Sequence, residues 1–451
     1  MNPVRYRFFS NIYQTERWLE RRITTQGAGL ITGILAMGAL GLNTNQSLAY
    51  QCFAFLVGIL IVGVAQGLRF KASLSFQRSL PKFVTAGVGL DYRLTIFNHS
   101  NQWQRGLKVV ENFVDPRPTY QELLDTPEPG EEKRNRYDRY LGYYRWLWLL
   151  RRNLVATTRT VEVPPIPPWG QGEVNIPLYP RSRGRINLTG VTIMRPDPFG
   201  LFNGCQHFPQ PAAVWVLPHR YDFPRLQLPG GRQYQVGGVT LASSIGESDE
   251  FRSLRDYRPG DPLRKIHWKS WAKVDRPIVR EDQDEFFVRH ALILDTFQPE
   301  AYSDKLEEAI AIAASIACNH QTQESLLDLM FVGLEAYCFT AGRGVGHTEQ
   351  MLQILASVKP CTDQHFSCLD PLIAERSDLL SGCICVLMDW DESRQNLVQQ
   401  LANLKVPTLV LLVSAEGTTI EDYDLSMVGS LTTKLVVVAL DQIEQTLMQL
   451  S

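Results

Sequence analysis

No two of the eight cysteines stand at CxxC spacing, so neither a zinc knuckle nor a thioredoxin-type redox motif is present. Cys361 and Cys368 are too far apart for a knuckle, and Cys383 and Cys385 alternate as strand residues do. Eight cysteines in 451 residues do not make a disulfide framework either, which implies a reducing compartment. Positive charge is scarce in the rear of the chain: from Phe286 onward 8 Lys and Arg face 22 Asp and Glu, a net of −14. The whole chain carries −2, so the first 285 residues hold the balancing +12. An overall charge near zero argues against a dedicated nucleic-acid binder, and the asymmetry implies that the two ends face different neighbours. Gly342-Arg343-Gly344-Val345-Gly346 is not followed by Gly-Lys-Ser/Thr, so it is not a Walker loop and the chain does not read as an ATPase. A hydrophobic fraction of 44% excludes wholesale disorder, and the length suits about three structural units.

Two stretches lack charge altogether. Ile23–Leu42 and Leu48–Leu68 each run for about 20 residues, which as helix matches the roughly 30 Å bilayer core. Only Asn43–Ser47, a polar turn, separates them, which predicts a two-helix transmembrane hairpin. A signal peptide fits poorly, because 22 Arg-rich residues precede the first run and no cleavage cassette follows it. A buried soluble hairpin fits poorly too, since uncharged runs this long are rare in cores. Gly27, Gly29, Gly33, Gly38 and Gly41 allow the helices to approach closely. Arg5, Arg7, Arg17, Arg21 and Arg22 precede the pair, while Arg69, Lys71, Arg78 and Lys82 follow it. The positive-inside rule then places both termini in the cytoplasm of a multi-pass, two-helix membrane protein.

From Leu74 to about Leu217 short alternating runs are broken by Pro and Gly, as at Asp91–Phe97, Leu107–Val110, Thr158–Val163 and Glu173–Leu178. This spacing predicts a β-sandwich. Residues 115–156 interrupt it. Their Arg136–Arg152 part interleaves tyrosines, Trp146 and Trp148 with arginines that include Arg151 and Arg152. It reads as an interfacial helix on the inner leaflet, with an ordinary packing helix or a protein contact as the alternative and base stacking as a third.

Gly246–Glu285 holds 9 basic and 10 acidic residues in 40, about double the chain's charge density. Mixed signs at that density favour internal ion pairs or a specific protein contact over a phosphate track. Within it lie Arg255, Tyr257, Gly260, Asp261, Arg264, Ile266, His267 and Trp268, in the order Arg-x-Tyr-x-x-Gly-Asp-x-x-Arg-x-Ile-His-Trp. This order resembles the domain of unknown function 58 family. Arg183-Gly184-Arg185 and Arg195-Pro-Asp-Pro-Phe-Gly-Leu-Phe202 resemble that family's second landmark. The resemblance implies a membrane-anchored protein, a MoxR-type AAA+ ATPase as partner in the maturation or assembly of other proteins, and a terminal von Willebrand factor A-like domain.

The residues from Phe286 support an α/β domain independently. A buried strand ends at Asp295, a helix spans Ser303–Gln321, and strands at Asp328–Val332, Cys383–Met388, Thr408–Val413 and Leu435–Leu440 alternate with helices at Glu349–Val358, Glu392–Leu404 and Gln442–Leu450. Alternating units of this kind predict a parallel sheet between helical layers, Rossmann-like in organisation. A von Willebrand A-like domain holds a divalent cation on Asp-x-Ser-x-Ser. Here Asp295 keeps the Asp position, but Phe297 and Pro299 replace the serines, and Asp389 is the remaining carboxylate. Hard cations need the full oxygen cluster, so a degenerate site with no metal and no cofactor is expected.

The resulting division is a basic N-terminus (1–22), the hairpin (23–42 and 48–68), a β-sandwich (69–220, insertion 115–156), the charged signature segment (221–285) and the A-like α/β domain (286–451). The expected function is a membrane-anchored cytosolic adaptor, not an enzyme, which meets the lipid bilayer at one end and a soluble partner through Arg255–Trp268. The alternative is a membrane-surface hydrolase using Asp261, Arg264 and His267 as an acid–base set. A cation-dependent adhesion-type binder is disfavoured by the two lost serines.

Overall fold

A computed structural model describes residues 3–41, 47–222, 251–259, 261, 263, 266–282, 288–300, 302–320, 325–333, 336–341, 345–377, 380–415 and 433–450. The turn expected at Asn43–Ser47 lies outside these residues except for Ser47. The chain is a mixed α/β multidomain protein with two compact units. One comprises Met1–Asp222, Thr296–Ser315 and Glu349–Asp363; the other comprises Phe223–Asp295, Ile316–Thr348 and Gln364–Ser451.

The first unit opens with helices α1 (Pro3–Arg22), α2 (Thr25–Gly41) and α3 (Ser47–Leu68). Among the described residues one helical stretch, Leu48–Leu68, is long and apolar enough to cross a membrane. α2 is equally free of charge but has 17 residues, about 25 Å of helix against a core of about 30 Å. Its late start has a local cause. The Thr24 hydroxyl accepts the Gly27 N–H at 3.0 Å, an N-cap that starts the helix after Ile23 and Thr24.

The same hydroxyl donates to the Gly200 carbonyl at 2.6 Å, and the Thr24 N–H donates to the Leu201 carbonyl at 3.2 Å. Those carbonyls belong to a turn closed by Asp197, whose Oδ1 accepts the Leu201 N–H at 2.7 Å. Asn203 Nδ2 donates to the Arg21 carbonyl at 3.1 Å, so the α1–α2 elbow is held from both sides. Two glycines make the approach sterically feasible: a Cβ on Gly27 of α2 would collide with the Leu201 carbonyl, and one on Gly63 of α3 would collide with Asp197 Oδ2. α2 and α3 lie side by side, with Gly38 against the Phe53 ring.

Strands β1 (Leu74–Ser79), β2 (Phe83–Thr85), β3 (Leu90–Asn98) and β4 (Lys108–Phe113) follow. Helices α4 (Tyr120–Asp125), α5 (Arg136–Leu141) and α6 (Tyr143–Asn153) precede β5 (Ala156–Thr158), β6 (Val161–Glu162), β7 (Gln171–Pro180), β8 (Gly184–Pro196) and β9 (Asn203–Leu217). One sheet has the order β1-β3-β7-β5 and the other β2-β9-β8-β4-β6. Period-2 burial along β3 and β7 turns Leu94, Ile96, Ile176 and Leu178 into a core shared with Val109, Ile186 and Ile193 of the second sheet. The single strand expected at Thr158–Val163 is two strands: β5 pairs with β7 and β6 with β4, the chain changing sheets at Arg159-Thr160. Arg78 and Glu111 form a bidentate pair in this core at 2.9 and 3.0 Å, and the Tyr92 hydroxyl donates to Glu111 as well. The long helix expected over Arg136–Arg152 is broken by Gly142, whose φ of 71° ends α5 and starts α6.

The second unit carries β10 (Phe251–Asp256), helix α7 (Trp268–Val274) and β11 (Ile278–Asp282), with β10 and β11 paired antiparallel. Beyond them in the chain come β12 (Val288–Leu294), α8 (Asp304–His320), β13 (Ser325–Val332), β14 (Ala336–Ala341), α9 (Val345–Ser357), α10 (Asp370–Arg376), β15 (Gly382–Leu387), α11 (Glu392–Asn403), β16 (Thr408–Ser414), β17 (Thr433–Ala439) and α12 (Ile443–Met448), with most of α8 and α9 falling in the first unit. Six strands form one sheet in the order β14-β13-β12-β15-β16-β17. All neighbours are parallel except β13 and β14, and β14 has no counterpart in the pattern read from the sequence. Every residue of β15 and β16 is buried, the composition of a central parallel strand covered on both faces.

The collision at Gly27 carries a prediction. Ala for Gly inside a helix ordinarily stabilises by about 0.5–1 kcal/mol. Gly27→Ala is expected to lower the thermal unfolding temperature of the detergent-solubilised chain, whereas Gly29→Ala, where a Cβ meets nothing within 4 Å, leaves it unchanged or raises it.

Candidate functional site

The described signature residues fall on β10, a turn and a short helix framed by β10 and β11. Arg255 leaves β10 and forks onto Asp261, with Nη1 to Oδ2 at 2.7 Å and Nη2 to Oδ1 at 2.8 Å. Asp261 Oδ2 also accepts the Arg258 N–H at 2.8 Å, which closes the Arg258–Asp261 turn. Charge-assisted bonds of this kind favour the ionised carboxyl. Arg255 first, then the Arg258 N–H, hold Asp261 down at about 2. Tyr257 is half-buried, and its N–H donates to the Pro277 carbonyl at 2.9 Å. Gly260 and Arg264 lie outside the described residues.

Ile266 is buried against the frame through a bridge to Val279, and the His267 N–H donates to the Ile278 carbonyl at 2.8 Å. That bond positions α7. His267 Nδ1 lies 2.7 Å from Ser270 Oγ one turn on. Asp261 and His267 therefore engage different partners, Arg255 and Ser270. Among exposed charged side chains such as Lys269 and Lys273, Trp268 is 64% exposed and stacks on Trp271 with centroids 5.2 Å apart and planes at 15°. Leu263 is exposed as well.

A second constellation sits where β12 ends. Chain order in the six-stranded sheet reverses between β12 and β15, and ligands of open α/β sheets bind outside the carboxyl ends of strands at such a switch point. Asp295 follows β12 there and is fully buried. Its oxygens accept a fork from Arg394, Nε to Oδ2 at 2.7 Å and Nη2 to Oδ1 at 3.1 Å, and Oδ2 accepts the Met388 N–H at 3.0 Å. Arg394 also donates from Nη1 to Asp391, the N-cap of α11, at 2.7 Å, and its guanidinium lies 4.9 Å from the centroid of the Phe366 ring. Burial pulls this guanidinium down, but Asp295, with Asp391 and Asp389 adding to it, reverses the effect and raises it above its ordinary value. Asp389 accepts the Trp390 N–H at 2.8 Å. Phe297 is buried and bridges to Cys361. Among the described residues no group of three or more His, Cys, Asp or Glu is placed to hold a metal ion.

The aromatic segment at 136–152 takes the packing alternative for its central residue. Trp146 is 2% exposed, in a cluster with Phe9 of α1, Leu123 and Leu149, and Tyr6 meets its ring edge-on at 5.6 Å. A side chain enclosed in this way cannot lie at a lipid surface. Trp148 is half-buried, 6.4 Å from the Tyr302 ring, with Arg152 over it at 5.6 Å; Arg151 is exposed.

Sequence reasoning missed Arg394, Thr24 and the role of Asp197. The available signal for Arg394 was its place in the first turn of a helix, where the macrodipole disfavours a cation unless a carboxylate meets it.

Comparison with known proteins agrees with the signature. Residues 253–374 match the model of the family described as Protein of unknown function DUF58, which bears out the resemblance carried by Arg255–Trp268. The chain is 26% identical over 176 residues to "Uncharacterized protein YeaD" of Bacillus subtilis (strain 168), a match covering 39% of this chain and 42% of that relative's length. A solved structure titled "AvmM Catalyzes Macrocyclization in Alchivemycin A Biosynthesis" aligns with 32% of this chain and 88% of its own at 12% identity. Its TM-score is 0.19, and it carries no argument about fold or activity.

Two outcomes test these constellations. Arg394→Met leaves Asp295 buried and uncompensated, for which a loss of about 3–5 kcal/mol in unfolding free energy is expected. Asp295→Asn combined with Arg394→Met should recover much of it, as a double-mutant cycle in denaturant would show. For Asp261 the folded-state pKa lies below the unfolded value, so its stabilising contribution is complete above about pH 4 and fades as pH falls through about 2. Carboxyl NMR titration should place its midpoint near 2, and Arg255→Ala should return it toward the ordinary carboxylate range.

Proposed function

We propose that the chain is a membrane-anchored scaffold or adaptor that presents the surface around α7 to a soluble partner on the cytoplasmic side. In this reading α2 and α3 form a two-helix anchor with both termini in the cytoplasm, the paired sheets of the first unit are a β-sandwich, and the six-stranded sheet is a von Willebrand A-like domain. The Arg394 guanidinium then stands where such a domain keeps a divalent cation. The family resemblance nominates a MoxR-type AAA+ ATPase as partner. A rear region at −14 offers charge complementarity to a basic surface on it.

The observation that carries this reading is the contrast in the signature segment between the Arg255–Asp261 pair and the outward Trp268. Arg255 and Asp261 pair with each other, whereas Trp268, stacked on Trp271, faces outward. Exposed tryptophan on a short framed helix is the composition of a contact hot spot. The hydrolase alternative needs Asp261 and His267 to act on one substrate, and nothing in their separate bonding favours it.

Affinity purification of the full chain from detergent-solubilised membranes of its native host, beside a Trp268→Ala/Trp271→Ala variant of unchanged thermal stability, tests the reading. An AAA+ ATPase recovered with the parent and lost with the variant is the expected result. An ATPase absent from both preparations overturns the partner assignment.

A further inference from the structure

α1 has two faces with different fates. One is occupied: Phe9 and Tyr6 enter the cluster around Trp146, and Ser10 Oγ accepts Arg117 Nη1 at 2.8 Å. On the other, Val4, Phe8, Ile12 and Leu19 recur at helical spacing and form one stripe. Their exposures are 69, 61, 47 and 40%. Four large apolar side chains in line on one helix face are not scattered surface residues and call for an occupant.

The position of the helix identifies that occupant. α1 joins α2 through Ile23-Thr24 alone, and the elbow is fixed by the Thr24 and Asn203 hydrogen bonds and by Phe202, which bridges to Ile23 and meets the Trp18 ring at 6.3 Å. The Leu19 end of the stripe stands three residues before the end of α1, next to the elbow that leads into two charge-free helices. The charge agrees: α1 carries five arginines against Glu16 and Glu20, a net of +3 suited to an anionic leaflet. We propose that α1 is an interfacial helix whose Val4–Phe8–Ile12–Leu19 stripe is embedded in the headgroup region of an anionic phospholipid leaflet, with its opposite face packed on α6. The inference rests on the membrane-anchored reading. It assigns to α1 the lipid contact that the sequence alone had suggested for Trp146. The Arg-rich flanks remain in the phosphate layer while the stripe enters the acyl boundary.

The test uses the full chain in proteoliposomes containing phosphatidylglycerol, with the photoreactive residue p-benzoylphenylalanine placed singly at Phe8, Ile12, Gln14 and Val62. Gln14 is an exposed α1 residue outside the stripe, and Val62 is an exposed residue of α3. Lipid adducts at Phe8, Ile12 and Val62, lost at Gln14, are the expected pattern. Adducts at Val62 without any at Phe8 or Ile12 overturn the interfacial helix and leave the anchor standing. A protein adduct at Phe8 in place of lipid overturns it too, in favour of a second copy or another chain on the stripe. No lipid adduct at Val62 removes the anchor and the inference together.

Discussion

A carboxylate taken out of water must be met by donors arranged to receive both of its oxygens, and in this chain arginine does so repeatedly. Arg78 forks onto Glu111 between the two sheets of the first unit, Arg289 onto Asp328 in the six-stranded sheet, and Arg394 onto Asp295 at its switch point. Asp328 also accepts the Thr340 hydroxyl at 2.6 Å, which ties β13 to its antiparallel neighbour β14. A buried pair adds little net stability over a well-packed apolar pair, yet losing one partner is severe. Such pairs therefore act as alignment constraints: each demands that two elements distant in sequence arrive in one relative position. Asp295 and Arg394 are 99 residues apart, and their bond sets α11 against the end of β12.

At the front of the chain the same task falls to a turn and its backbone carbonyls. Asp197 organises a turn whose carbonyls receive Thr24, and glycines on α2 and α3 leave room for that turn. The apolar helices are thus connected to the antiparallel sheets through backbone carbonyls that the Thr24 hydroxyl, the Thr24 N–H and the Asn203 amide meet. The Arg195–Phe202 landmark acquires a physical purpose here as the clamp of the α1–α2 elbow.

Much of this was legible in the residues. Period-2 alternation revealed β3 and β7, the unbroken apolar runs revealed β15 and β16, and the lack of any charge singled out α3. What failed to show is what depends on distant partners. The apolar face of α6 was visible, but not the helix over 130 residues upstream that covers it, so Trp146 looked lipid-facing. β14 reads Ala-Tyr-Cys-Phe-Thr-Ala, a short edge strand with weak alternation, and escaped notice. Thr24 shortened α2 because its cap geometry depends on carbonyls some 176 residues away. In the signature segment the residue order was legible, whereas the division between paired Asp261 and presented Trp268 was not.

The pair at the switch point has a further consequence for how this protein can be controlled. A bound ion comes and goes with its concentration, and a chelator can strip it. A guanidinium anchored in the first turn of α11 is covalently part of the chain, present at the same effective concentration in every compartment and ionised throughout the physiological pH range. The bond that attaches α11 to the end of β12 therefore needs no bound ion, and it is screened little by salt because both partners are buried.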